Sequence, residues 1–139
     1  MSMKISQQVF EKMYRKDGFS QWLGIEAVEV NEGQCILKMT VRAEMLNGFD
    51  VAHGGIVYSL CDSAFAFACN SYNDLSVSVE TSVTHCKAIK EYDVLIAEAK
   101  LITHSKKIGT YQVIAKNQLD EIVAVFKGIC YKTGKLFIE

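Results

Sequence analysis

The chain of 139 residues has no proline, one tryptophan, no Cys-x-x-Cys pair and almost no net charge. Without proline, and with half its residues apolar, it cannot be a collagen-like segment, a disordered linker or a polar low-complexity tail. Fifteen Lys and Arg balance sixteen Asp and Glu to a net charge of -1, so the global positive field that nucleic-acid or anionic-membrane binding relies on is missing. Neither partner is expected, and any anion must meet a local cluster. The five cysteines are an odd number without metal-ligand spacing, and the N-terminal MSMKISQQVF lacks an apolar secretion core. Both point to a reducing cytoplasm. The longest apolar stretch, Gly54 to Cys69, is too short to span a bilayer and carries Asp62 in its middle. It reads as a core element. Two independent cores would each be close to the size at which folding alone is marginal, so residues 1–139 read as a single domain with an N-terminal helical arm over 1–23.

Apolar Ile5, Val9, Phe10, Met13 and Tyr14 recur at three- and four-residue spacing, which predicts a helix from Ile5 to Lys16 with Ser2 or Ser6 near its start. A short helical turn, Phe19 to Leu23, should end at Gly24. Ile25–Val30 and Gln34–Val41 read as strands of one hairpin, because Cys35, Leu37, Met39 and Val41 alternate with polar positions. After an irregular segment from Arg42 to His53, the alanine-rich run ending at Asn70 favours a helix apolar nearly all round, and therefore buried. Four strands follow: Leu75–Thr84, Val94–Thr103, Gly109–Asn117 and Ile122–Tyr131. The resulting α+β order fits one long antiparallel sheet wrapped around one buried helix, with an edge strand available to pair across a dimer axis.

Asp62 is the only charged side chain between Gly54 and Asn73. An ionised carboxylate in an apolar helix is costly unless compensated. It either faces solvent or caps a backbone group, or it is a base or nucleophile with a perturbed pKa. His53-Gly54-Gly55 opens the same helix, and the glycines let a carbonyl approach first-turn amides that a helix leaves unpaired. This is either a tight loop-to-helix turn or an oxyanion hole. With Asn47 just upstream as a further polar group, donors and carboxylate together point to acyl transfer to water. Competing chemistries lack their motifs, since neither GxSxG nor HExxH occurs. Cys61 and Cys69 read as small buried hydrophobes. His104-Ser105-Lys106-Lys107 reads as a solvated hairpin turn or, alternatively, a phosphate clamp, and Lys87 and Lys90 share that ambiguity.

Asn47-Gly48, His53-Gly54-Gly55 and the run SLCDSAFAFACN from Ser59 to Asn70 together resemble the hotdog-fold thioesterases of the phenylacetate-degradation (PaaI) type. The resemblance covers roughly Gly24 to Tyr131 and is most specific from Asn47 to Asn70. It implies hydrolysis of acyl-CoA thioesters, aryl-acetyl or hydroxylated phenylacetyl groups as the favoured acyl class, and a homotetramer built as a dimer of dimers. No cofactor is implied, CoA being part of the substrate, and no metal. By resemblance Asp62 takes the catalytic carboxylate position and Gly54 that of the amide polarising the carbonyl. Asn47 and His53 take supporting polar positions. Gly55, Ser78, Lys87, Lys106 and Lys107 are the substrate-side candidates, Ser78 as a holder of the attacking water. His85-Cys86-Lys87-Ala88-Ile89 replaces a more familiar arginine-proline turn.

The alternative to an enzyme is an acyl-CoA-binding or sensing hotdog module. The DNA-binding segment that usually accompanies one is missing. A dehydratase would need a His poised with a carboxylate, and this helix supplies only Asp62. Gly54 and Asp62 are eight residues apart, roughly 12 Å along a helix axis. One thioester carbon cannot easily touch both. Gly54 and Asn47 of one subunit are therefore expected to meet Asp62 of its neighbour. Tyr58, Phe65 and Phe67 are candidates to flank an aromatic acyl group.

Overall fold

The computed structural model describes residues 3–139. Helix α1 (Ile5–Lys16) is followed by α2 (Gly18–Leu23). Strands β1 (Glu26–Asn31) and β2 (Gln34–Thr40) form the first hairpin, and a 3-10 turn (Ala43–Met45) leads towards α3 (Gly54–Asn70). Then come β3 (Asp74–His85), β4 (Val94–His104), β5 (Ile108–Lys116) and β6 (Ile122–Leu136). Ser6 stands near the start of α1 as expected, buried in the first turn, and the N-cap is Lys4 without a side-chain bond. Ser2 lies outside the described residues. Gly24 closes α2 as expected, with φ 76°, a left-handed conformation open to glycine.

All six strands are antiparallel in the order β1-β2-β4-β5-β6-β3, so α3 carries the chain from β2 across the sheet to its far edge. The helix packs along the sheet's inner face, where Ala97 and Ala99 of β4, Ala115 of β5 and Gly128 of β6 leave room for it. That close approach is why Ala64 and Ala68 can be fully buried. Phe65 fills the space over Gly128, where an added Cβ would stand 2.8 Å from the ring. Phe10 of α1 covers the other side of α3 by an edge contact with Phe67. Both Phe65 and Phe67 are thus core residues, 0% and 1% exposed. So complete a burial is at odds with their expected role beside an acyl group.

Strand β6 runs five residues past the expected end at Tyr131, because β3 pairs along its whole length: Asp74 stands opposite Leu136, and the Thr133 hydroxyl donates to the Leu75 carbonyl at 2.7 Å. Strand β3 itself is an edge.

Candidate active site

The loop before α3 is closed by Asn47. Its Oδ1 accepts from the Phe49 amide at 2.8 Å and from the Val51 amide at 3.4 Å, while its own N–H donates to the Val51 carbonyl at 2.8 Å. Asn47 therefore shapes the loop through its oxygen, leaving the Nδ2 group for other partners. Phe49 at the tip is 86% exposed. His53 then caps α3: its Nδ1 accepts from the Gly55 amide at 2.9 Å, and its carbonyl accepts from the Ile56 amide at 2.9 Å. Since Nδ1 is the acceptor, the proton of a neutral ring sits on Nε2. Two of the orphan donors of the first turn are satisfied this way. Gly55 thus has its amide committed to the cap. Among the described residues, the amide left free is that of Gly54.

Gly54 faces a cavity of about 320 Å³ shared with Val51, Val57, His85, Lys87 and Ile89. Backbone bonds hold the segment after β3 in place there, the Ala52 amide donating to the Ile89 carbonyl at 2.7 Å and the Cys86 amide to the Val123 carbonyl at 2.8 Å. The His85 ring lies directly over Gly54, with Cε1 3.2 Å and Nε2 3.3 Å from where a Cβ would stand. Gly54 is not in a left-handed conformation. What a Cβ there would press on is that ring. Local sequence patterns could not show this, because 31 residues separate the two positions. Lys87 stands at the same cavity, paired with Glu121 at 2.5 Å. A larger cavity of about 470 Å³ lies on the outer face of β4 and β5, lined by Ile96, Glu98, Lys100 and Ile114. No helix N-terminus opens onto it.

Lys106 and Lys107 sit elsewhere. They lie in the β4–β5 turn, whereas Glu121, the partner of Lys87, lies in the β5–β6 turn. Strand β5, with nine residues, separates the two turns by about 30 Å. His104, beside the lysines, stacks on Tyr72 beyond the C-terminus of α3. Within one chain the three lysines do not form one site.

Asp62 is half-buried, and burial alone raises its carboxyl above the ordinary aspartate value. No hydrogen bond among the described residues offsets that. Two anchors fix which way it faces. Tyr58, one turn earlier on the same side of the helix, hydrogen-bonds through its hydroxyl to Thr81 of β3. Further along, the Ser76 amide donates to Asn70 Oδ1 at 2.9 Å. Between these anchors the β3 residue on the helix side is Ser78, since it stands opposite buried Cys130 of β6 and opposite residues share a face. Ser78 and Asp62 therefore lie at the same level along the open edge of the molecule. On the flank away from β3, Ser63 Oγ meets Ser20 Oγ of α2 at 2.8 Å. Cys61 is fully buried with its thiol pushed up to about 12, and Cys69 is buried as well. Among the described residues no group of three or more His, Cys, Asp or Glu is placed to hold a metal, and no helix is long and apolar enough to cross a membrane.

A family model described as the thioesterase superfamily matches residues 49–124, which include the whole arrangement from Phe49 through Gly54, Asp62 and His85. The chain belongs to the thioesterase superfamily. It is similar to a protein of Archaeoglobus fulgidus named putative esterase, 37% identical over 131 residues that span 94% of this chain and 85% of that protein. The acyl-coenzyme A thioesterase PaaI of Escherichia coli is 36% identical over 122 residues, 88% of this chain and 87% of that one. The structure of the Escherichia coli PaaI protein, from the phenylacetic acid degradation operon, matches with a TM-score of 0.93 at 34% identity, covering 97% of this chain and 99% of that chain. A Streptococcus mutans protein solved with acetyl-CoA matches with a TM-score of 0.78 at 26% identity, covering 81% and 90%. The fold is thus the α+β hotdog fold, and this thioesterase is of the PaaI type.

Proposed function

We propose that this thioesterase hydrolyses acyl-CoA thioesters of the aryl-acetyl or hydroxyphenylacetyl class, at sites completed between two subunits of a homotetramer. The observation that carries the reading is Asp62: a half-buried carboxylate without a compensating partner, facing the open edge of a thioesterase. The acyl-CoA thioesterase name of the Escherichia coli relative and the acetyl-CoA held by the Streptococcus mutans relative support the substrate class. The operon of the former supports the aryl-acetyl group.

In the proposed reaction Asp62 takes a proton from water held by Ser78 as the water oxygen adds to the thioester carbonyl carbon. The carbonyl electron pair moves onto an oxygen held by the Gly54 amide and backed by the α3 dipole. When the tetrahedral intermediate collapses, the C–S bond breaks and the proton returns to the departing CoA thiolate. In direct attack the Asp62 carboxylate adds to the carbonyl carbon, the C–S bond breaks to release CoA thiolate, and water then cleaves the mixed anhydride to the free acid and the carboxylate, its proton ending on the thiolate. His53 supports the helix start and Asn47 the loop beside it. Lys87 meets the CoA arm entering at Gly54, Gly55 contributes the close backbone approach, and Lys106 and Lys107 serve a CoA nucleotide reaching over from a neighbouring subunit.

The test is a panel of CoA thioesters, from acetyl through palmitoyl to phenylacetyl and its ring-hydroxylated forms, assayed by thiol release. Asp62→Asn should lower turnover on the best substrate at least a hundredfold, as loss of a general base typically does, with the fold intact. Retained turnover in folded Asp62→Asn would remove the catalytic role. A wild-type protein that binds CoA thioesters without cleaving any is a binding module instead. Palmitoyl-CoA cleaved with a higher kcat/KM than any phenylacetyl-CoA would reject the aryl-acetyl class.

A further inference from the structure

The proposed reaction leaves the imidazole of the cavity unused. His85 ends β3 on the helix side, opposite inward-facing Ala124, and its ring is exposed to solvent and to the cavity that Gly54 opens into. Among the described residues its imidazole takes part in no side-chain hydrogen bond. An unengaged imidazole beside the glycine that carries a free helix amide is a second polar group at the same cavity.

We propose that His85 donates a hydrogen bond from Nε2 to the thioester carbonyl oxygen, alongside the Gly54 amide of the same chain. The inference rests on the acyl-CoA reading above and adds a residue to it. Its geometric basis is a bound on one separation. Nε2 stands 3.3 Å from the Cβ position of Gly54, and in any residue that position is about 2.5 Å from the amide nitrogen. The two donor nitrogens are therefore no more than about 6 Å apart. One oxygen that accepts from two N–H groups at about 2.9 Å each can bridge donors separated by up to about that distance. The pair lies within reach of a single oxygen. Glycine at position 54 favours this, since a Cβ there would press on the ring that carries the second donor, at 3.2 Å from Cε1. Val57 and Ile89 give the cavity an apolar wall, and apolar surroundings strengthen both bonds as charge grows on the oxygen.

A donor of this kind acts mainly in the transition state, so its loss should appear in kcat. His85→Phe keeps a flat ring over Gly54 and removes the donor. His85→Gln gives up the ring and places an amide N–H near the position of Nε2. With the best CoA thioester from the panel, His85→Phe should lower kcat by about ten- to a hundredfold with KM changed less than threefold, one oxyanion-hole donor being worth up to about that range or more. His85→Gln should recover at least a third of the lost factor on a logarithmic scale. Should His85→Phe not fold, His85→Met, similar in length and without a donor, replaces it in the comparison. The donor role is overturned if the donor-free variant keeps kcat within twofold of wild type, or if Gln is impaired as much as Phe, which would make the ring a packing element only. Wild type and Asp62→Asn assayed alongside separate the two levels. Normal wild-type turnover and a dead Asp62→Asn with an active His85→Phe reject the His85 role alone, whereas a wild type that cleaves no CoA thioester rejects the acyl-CoA reading and this inference with it.

Discussion

At the scale of single residues, the carboxylate proposed to serve the reaction works against the fold. Burial raises the Asp62 carboxyl above its ordinary value, so the folded protein binds that proton more tightly than the unfolded chain does. The unfolded group titrates near pH 4. Between that pH and the higher folded value, stability falls as pH rises, and above the folded value the loss is constant. Asp62→Asn removes the charge and should therefore raise the Tm at neutral pH. The gain should shrink on acidification and vanish below about pH 4, where both forms are uncharged. Thermal unfolding across that pH range checks it, and a Tm for Asp62→Asn below that of wild type at pH 7 would mean the carboxylate is compensated after all. Asp62 was legible in the sequence because a lone charge in an apolar helix is a local anomaly. His85 was legible only as a departure from a familiar turn. What joins it to Gly54 is the return of β3 along α3, and no spacing rule spans that distance.

Elements were readable wherever periodicity was local. The run from Gly54 to Asn70 and the alternation in β2 and β3 needed no partner to be recognised. The end of β6 needed one: after Tyr131 its residues carry no clean alternation, and they are strand because the start of β3 pairs with them. Apolar content likewise could not separate a pocket-lining aromatic from a core one. Phe65 meets Tyr111 and Phe126 at ring-centroid distances of 5.6 Å and 5.9 Å, and it closes the core over Gly128. That contact sets a measurable requirement on β6. Gly128 has no positive φ, so alanine is conformationally acceptable there, but its Cβ would stand 2.8 Å from the Phe65 ring. Gly128→Ala should destabilise the protein by roughly 1–3 kcal/mol through overpacking. In urea titration the midpoint should fall at unchanged m-value, and adding Phe65→Leu should return part of the loss. A midpoint equal to that of wild type would show that the core yields at this point without cost.

At the scale of the whole molecule, β3 is the feature left incomplete. It is an edge of twelve residues without proline or lysine to block pairing, and it exposes Val77 at 49% and Val79 at 58%. Such an edge invites a second strand. The exposed side of α3 beside it carries Asp62, while the free Gly54 amide opens at the start of that helix, roughly 12 Å along the axis. A two-fold pairing along β3 would run the two copies of α3 antiparallel, bringing the Gly54 end of one towards the Asp62 turn of the other. Each dimer would then hold two composite sites. Asn47→Ala and Asp62→Ala should each be nearly inactive. The first damages only the Gly54 half of a site, whether through the lost Nδ2 group or through a loosened loop. Mixing the two variants under conditions of subunit exchange should give hybrids with one site wild-type at both positions. With half the dimers hybrid and one of two sites working in each, recovered activity should approach roughly a quarter of wild type. Exchange is confirmed independently by mass-tagged subunits. No recovery once it is complete would place donor and carboxylate of each working site in the same chain, and Asp62 could then not be the base that serves the Gly54 amide.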